Sequence, residues 1–112
     1  MEITQKQLDG IVMLSLAGRL DAVTSADADR EFSSALDSGK DRLLINLAQL
    51  EYISSAGLRV LLVVAKRIQQ RGGKISLNGL TAGVKEVFEI SGFSSIFKIF
   101  DRQDDAVEFL KS

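Results

Sequence analysis

Residues 43–58, LLINLAQLEYISSAGL, decide how this chain folds. They begin with a nearly continuous apolar run, residues 43–47, which predicts a strand buried on both faces of a sheet. They end with Ser54-Ser55-Ala56-Gly57-Leu58, where a loop gives way to a long helical pattern. Ser55 is predicted to be the N-cap, whose hydroxyl accepts a hydrogen bond from a free backbone N–H. The same place favours a phosphate, because unpaired amides and the helix dipole attract anions. A serine there is either a plain cap or a switch.

The segments on either side predict alternating strands and helices. Strands are predicted at residues 2–8, 11–17, 42–47, 74–77 and 96–100, and the first is polar enough to be a sheet edge. Asp9-Gly10 is a pair preferred in tight hairpin turns. Helices are predicted after residues 21–25, over 56–71, from Thr81 to about Gly92, and after Asp101, which is placed as a cap. The predicted fold class is therefore α/β: a mixed sheet opened by a β-hairpin, with about four helices packed against it.

Apolar residues recur at helical spacing in each predicted helix. In the first helix Gly39 stands where a C′ residue belongs. The residues predicted to face the core are Ala28, Phe32, Ala35 and Leu36 in the first helix, Leu58, Leu61, Leu62, Ala65 and Ile68 in the second, Val84, Val87 and Phe88 in the third, and Val107 and Leu110 in the last.

Composition excludes several classes of function. The chain has 112 residues, 46% of them apolar, which predicts a single domain over residues 1–112. It has no cysteine and no histidine, so thiolate catalysis and the common zinc sites are excluded, and we predict neither metal nor cofactor. A formal net charge of -1 predicts no direct contact with nucleic acid or an anionic membrane. Without a signal-like start or a long apolar run, the expected location is the cytoplasm.

The motifs argue against a serine hydrolase and against a nucleotide-binding loop. A serine hydrolase elbow needs G-x-S-x-G, but Ile53 occupies the first glycine position and no histidine completes a triad. No Gly-rich phosphate loop of a known kind occurs either. Gly72-Gly73 and Asn78-Gly79 are better explained as turns. The chain is therefore predicted not to be an enzyme.

The outward face of the second predicted helix carries a mixed polar and apolar stripe. Ser55, Arg59, Val63 and Lys66 share this face with Gln70. Arg59 lies one turn beyond Ser55, within reach of a phosphate placed there, and Val63 is an apolar residue among polar ones. The alternative is that the basic residues of this helix only keep it soluble.

The ordered set of motifs resembles the STAS domain family, and within it the bacterial anti-sigma factor antagonists. The apolar strand followed by Ser54-Ser55-Ala56-Gly57-Leu58 resembles the strand and D-S-[ST]-G-L phosphorylation motif of that family. Gly18-Arg19-Leu20-Asp21 resembles its G-x-L-D loop. The later landmarks are Gly72-Gly73-Lys74-Ile75, Val84-Lys85-Glu86-Val87-Phe88 and Ser91-Gly92-Phe93.

The resemblance implies that Ser55 is phosphorylated, with Ser54 as the second candidate. Ser54 replaces the aspartate of the motif and Ala56 replaces its second hydroxyl residue. The implied mechanism is partner switching: the unmodified protein binds an anti-sigma factor with serine kinase activity, the phosphorylated protein releases it, and a serine phosphatase resets the cycle. The implied partner-binding residues are Asp21, Ser54, Ser55, Ala56, Gly57, Arg59, Val63 and Lys66.

Alternatives remain open at this level. Asp21 is either part of the partner surface beside Ser55 or an ordinary turn acid before the first helix. The whole chain is alternatively a STAS interaction module in a stress-signalling, secretion-regulatory or lipid-transport assembly without a sigma factor output. A nucleotide-binding sensor is a third possibility, for which the sequence offers no phosphate loop.

Overall fold

A computed structural model describes residues 1–112 as five strands and four α-helices, which alternate after an opening pair of strands. The strands are β1 Glu2–Leu8, β2 Ile11–Leu20, β3 Arg42–Ile53, β4 Lys74–Asn78 and β5 Lys98–Phe100. The helices are α1 Ser25–Asp37, α2 Ser55–Gln70, α3 Ala82–Ser91 and α4 Gln103–Lys111, with a short 3-10 helix at Phe93–Ser95. None of the helices combines the length and the apolar character that crossing a membrane requires.

The strands form one mixed sheet in the order β1-β2-β3-β4-β5. β1 pairs antiparallel with β2, and the remaining neighbours pair parallel. Positive φ angles of 49° at Asp9 and 83° at Gly10 give the tight hairpin turn that this residue pair favours. The predicted mixed sheet, its opening hairpin and the position of the first strand at an edge are confirmed.

Helices cover both faces of the sheet, but unequally. A core of 23 buried residues lies between one face and helices α1, α2 and α3, and it includes the four residues of α1 predicted to face inward. A cluster of five lies on the other face under α4. Leu62, Val87 and Val107 are only half-buried, while Val64, which the prediction omitted, is buried. The helical spacing therefore identified the right face of each helix and misplaced residues at its border.

The C-terminal half of β3 was missed by the sequence prediction. This strand continues to Ile53, six residues past the predicted end at Leu47. Its buried residues Leu47, Leu50 and Ile53 are three apart, because the pairing with β2 shifts register twice along this segment. Strict alternation is lost at such irregularities, so a periodicity of two could not find the strand.

The C-terminal elements needed two further corrections. β5 begins at Lys98 instead of Ile96, because the chain first makes the 3-10 helix and only then extends. Asp101 is not the cap of α4. Arg102 holds that position, and acids inside the first turn, Asp104 and Asp105, complement the helix dipole instead.

Candidate functional site

The candidate site lies where β2 and β3 end side by side. Leu20 pairs with Ile53 in the parallel register, so the loop after β2 and the loop after β3 are neighbours. The Ser54 N–H donates to the Leu20 carbonyl oxygen over 2.9 Å, which joins the two loops directly. The G-x-L-D segment and the serine motif, separated by more than thirty positions in the sequence, therefore form one surface.

Ser54, and not Ser55, caps helix α2. Ser54 has extended backbone angles, φ -99° and ψ 175°, and its side chain accepts a hydrogen bond from the Gly57 N–H over 3.3 Å. Ser55 is the first helical residue and is exposed. The predicted cap was wrong by one position, because β3 continues to Ile53 and α2 begins at Ser55, one residue earlier than predicted. The Ser55 hydroxyl consequently has no capping role and no hydrogen-bond partner in the protein.

Separate substitutions of the two serines should distinguish their roles. Ser54→Ala should lower the free energy of unfolding by about 0.5–2 kcal/mol, because it removes a side-chain cap. Ser55→Ala should change it by no more than about 0.5 kcal/mol, as is usual for exposed side chains without partners. Urea denaturation followed by circular dichroism measures both. Equal losses in the two variants would contradict the assignment of the cap.

Gly57 is buried and sets how closely α2 approaches β2. A Cβ atom on Gly57 would lie 2.8 Å from both the Cγ atom and the carbonyl oxygen of Leu20, and 3.0 Å from Ile53 Cγ1. No larger side chain fits without moving the helix. Ala56, by contrast, is half-buried at the edge of the surface. Of the motif residues predicted to contact a partner, Gly57 therefore positions the others from inside the protein.

The outward face of α2 carries Arg59, Val63 and Lys66, all of them exposed. Val63 keeps 43% of its surface accessible, so an apolar side chain faces solvent between the two cations. Two other basic residues, Arg67 in α2 and Arg71 at its C-cap, instead bind α1. Arg67 donates to the Ser33 hydroxyl and Arg71 to the Leu36 carbonyl oxygen. Arg59 and Lys66 form no salt bridge or hydrogen bond and remain available to a partner.

A shallow groove runs beside Ser55 along the same helix. It has a volume of about 280 Å³, and its lining residues are Ser55, Leu58, Arg59, Leu62, Ser91 and Phe93. Leu58, Leu62 and Phe93 make its floor apolar. The prediction missed the contribution of Ser91 and Phe93, because it comes from the end of α3 and no local pattern links that segment to α2.

Asp21 organises the loop between β2 and α1. Its carboxylate accepts hydrogen bonds from the backbone N–H groups of Val23 and Thr24, at 3.0 and 3.1 Å, and from the Thr24 hydroxyl. The Thr24 N–H, followed by the Val23 N–H, the Thr24 hydroxyl and the charge of Arg19, lowers the pKa of Asp21 despite some desolvation. Asp21 is thus a turn acid, and it also lies one residue after Leu20, to which Ser54 is bonded.

The lowered pKa predicts an acid-dependent contribution of Asp21 to stability. Its ordinary value is 3.8, so the folded state gains stability from the charged carboxylate above that pH and loses it as the pH falls through the lower pKa of the folded protein. Asp21→Asn should therefore destabilise the protein at pH 7, and its difference from the wild type should shrink on acidification below about pH 4. Thermal melts at a series of pH values test this; a difference that stays constant would contradict it.

Three further exposed apolar residues were not singled out by sequence reasoning. Val23, beside Asp21, is 86% exposed, and Ile90, one residue before Ser91 of the groove, is 79% exposed. Tyr52 lies near the end of β3 with the Arg19 guanidinium 4.2 Å from its ring centroid. Val23 lies in the loop after β2 and Tyr52 lies two residues before Ser54, so the candidate surface combines apolar contacts with a hydroxyl and unpaired cations.

Comparison with known proteins agrees with this architecture. A Bordetella bronchiseptica protein named as a candidate anti-sigma factor antagonist, BtrV, is 38% identical over 112 residues, covering 100% of this chain and 97% of the relative. A Thermotoga maritima crystal structure described as a candidate anti-sigma factor antagonist, tm1081, has the same fold, with a TM-score of 0.93 at 24% identity over 98% of this chain and 95% of that one.

The fold is also that of SpoIIAA, an anti-sigma factor antagonist solved in two chemical states. The unphosphorylated form matches with a TM-score of 0.77 at 18% identity, covering 99% of both chains. The phosphorylated form from Bacillus matches with a TM-score of 0.75 at 19% identity, over 96% of this chain and 97% of that one. The sequence model of the STAS domain matches residues 2–106, which contain the sheet, the opening hairpin and the serine motif. This chain is a member of the STAS domain family.

Proposed function

We propose that the protein is an anti-sigma factor antagonist that works by partner switching. With Ser55 unmodified it binds an anti-sigma factor that is also a serine kinase, and phosphorylation of Ser55 releases that partner. A serine phosphatase then restores the binding form. Relatives along the whole chain are named anti-sigma factor antagonists, which supports the class of partner. The protein itself has a binding role and no catalytic one, and we place the cycle in the cytoplasm, where transcription is controlled.

The observation that carries the proposal is the free, exposed hydroxyl of Ser55. It stands in the first turn of α2 and takes no part in holding the helix end, because Ser54 supplies the cap. A kinase can therefore esterify Ser55 without breaking a hydrogen bond of the fold. The half-buried Ser54, whose oxygen is engaged by the Gly57 N–H, is the poorer acceptor of the two.

The phosphate would act on the interface rather than on the fold. It adds about -1.5 to -2 charges at pH 7, and at a helix N-terminus such a charge is favourable by roughly 0.3–1 kcal/mol. In a closely packed interface the same group meets steric exclusion and loses its hydration, which can cost several kcal/mol. The unfavourable effect on binding exceeds the favourable effect on the helix, so release needs no refolding.

Phosphopeptide mapping after incubation with the cognate kinase and ATP tests the modification. We expect phosphate on Ser55 in the wild type and in Ser54→Ala, and none in Ser55→Ala. Ser54→Ala is the matched control, because it removes the neighbouring hydroxyl and leaves the proposed acceptor. Phosphate found only on Ser54 or outside the motif would refute the assignment.

The partner surface is proposed to extend from Asp21 across Ser54, Ser55 and Ala56 to the exposed stripe of α2. Val63→Asp should weaken binding of the unphosphorylated protein about tenfold or more, because it places a charge where an apolar contact is expected. Ala82→Asp, at the exposed first residue of α3 and outside this surface, is the control and should bind normally. Isothermal titration with the anti-sigma factor measures both affinities. Equal affinities would remove Val63 from the surface.

A second candidate is a STAS interaction module whose output is not a sigma factor. Ser54 at the aspartate position of the motif favours it, since a changed motif suits a different kinase or none. Affinity purification of the phosphorylatable and Ser55→Ala forms from the native organism separates the two functions. Recovery of an anti-sigma factor only with unphosphorylated protein supports partner switching. A stable assembly that is recovered equally with both forms supports the alternative.

A further inference from the structure

Strand β1 presents a long, open edge. It runs for seven residues in unbroken register with β2, from Glu2 opposite Ala17 to Leu8 opposite Ile11. It has no bulge and no proline, and β2 is its one extensive neighbour. Such an edge is able to accept another strand unless charges or irregularities prevent it.

The turn geometry determines which backbone groups face outward. In a hairpin with a two-residue turn, the residues flanking the turn, here Leu8 and Ile11, form the closing hydrogen-bonded pair. Bonded and non-bonded pairs then alternate along the strands. The backbone groups of Ile3, Gln5 and Gln7 therefore point away from β2, and none of them appears among the backbone bonds made outside helices and strands.

The charges on β1 are complementary to a second copy of the same strand. Glu2 and Lys6 are exposed and lie on the same face, four residues or about 13 Å apart, too far to pair with each other. Neither forms a salt bridge within the chain. In an antiparallel pairing centred on Thr4, Glu2 lies directly opposite Lys6 of the second copy, and Lys6 opposite its Glu2.

Only this register satisfies both charges. In antiparallel pairing, residues whose backbone groups face outward must lie opposite each other. The residue that lies opposite a given position therefore changes by two from one allowed register to the next. One step in one direction places Glu2 opposite Thr4, and one step in the other places Lys6 opposite Thr4. The next steps bring Glu2 opposite Glu2 or Lys6 opposite Lys6, which is repulsive. The edge charges thus select one arrangement and disfavour the others.

We propose that β1 is a self-association edge through which two copies join antiparallel about Thr4, forming one continuous sheet with five strands from each copy. In this register Ile3 exchanges backbone hydrogen bonds with Gln5 of the second copy, and Gln5 does so with Ile3 of the second copy. The contact is one strand wide and buries less surface than a standard protein interface, so the dimer is weak and depends on protein concentration. Ser55 is not on this edge, and the inference is independent of the proposed function.

Charge reversal gives a specific test by sedimentation equilibrium, from about 1 µM to about 1 mM protein. The wild-type mass should rise toward twice that of the monomer. Glu2→Lys alone and Lys6→Glu alone should each weaken association about tenfold or more, because two opposite-charge pairs become repulsive. An equimolar mixture of these two variants should associate again, as should the double variant Glu2→Lys/Lys6→Glu, since both restore opposite charges across the edge.

The control and the contrary outcomes are equally specific. Glu86→Lys reverses an exposed charge on α3 and should associate as the wild type does. Far-ultraviolet circular dichroism of every variant checks that the fold is kept. A wild type that remains monomeric at the highest concentration would overturn the proposal, as would a mixture of the two single variants no more associated than each alone.

Discussion

Ser55 phosphorylation should weaken binding of the anti-sigma factor about a thousandfold, which corresponds to about 4 kcal/mol. Ser55→Asp, with a single charge and a smaller side chain, should weaken it roughly 10–100-fold. The thermal melt of both forms should remain close to that of the wild type, because an acidic group in the first turn of α2 is favourable to the helix and Ser54 still provides the cap. Isothermal titration and circular dichroism measure the two effects.

The uncharged variant is the control for this prediction. Ser55→Ala removes a hydroxyl that has no hydrogen-bond partner, so it should retain the binding form permanently and resist release by kinase and ATP. If Ser55→Asp were to unfold, Ser55 would have a structural role that the geometry of α2 does not provide. If it were to bind as tightly as the wild type, charge at this position would not control the partner.

Gly57→Ala should lower the free energy of unfolding by about 1–3 kcal/mol, the second-largest effect that we expect. The added Cβ would lie 2.8 Å from the carbonyl oxygen of Leu20, the same atom that accepts the Ser54 N–H. Relief of this contact requires α2 to move away from β2, which lengthens the bond joining the two loops. We therefore expect slower phosphorylation of Ser55 as well as lower stability, measured by urea denaturation and by the initial rate with the kinase.

Gly83→Ala is the matched control for this substitution. Gly83 lies in the first turn of α3, and nothing stands within 4 Å of the Cβ that it would gain. Alanine is the better helix former, so this variant should be unchanged or more stable by up to about 1 kcal/mol. A similar loss in both variants would mean that the effect at Gly57 comes from the loss of a glycine and not from contact with Leu20.

Most elements could be predicted from local sequence, because their signals lie within a few residues of one another. Asp9-Gly10 marks the hairpin turn, and the apolar spacing in α1 identified its four buried residues. Predictions failed where pairing with another strand changed the local pattern. The second half of β3 alternates irregularly through its register shifts, and the position of the helix cap changed with it from Ser55 to Ser54.

The candidate surface was less predictable from the sequence than the strands and helices were, because it depends more on tertiary structure. Local spacing placed Arg59, Val63 and Lys66 on the outward face of α2, where all three are exposed. No spacing rule could bring Phe93 beside Ser55, because their proximity depends on how α3 and the 3-10 helix pack. The same is true of Leu20, whose carbonyl oxygen joins the two loops only because β2 and β3 run parallel and end together.

The sequence by itself determined the class of fold and the order of its elements, and its resemblance to the STAS family implied the serine on which the proposed switch depends. These follow from composition, from periodicity and from motifs, whose signals lie within short segments of the chain. Only the tertiary structure decided which serine caps α2, why Gly57 must be small, and which distant residues share a surface with Ser55. Those properties arise from contacts between segments far apart in the chain, whose distances the local order of residues does not specify.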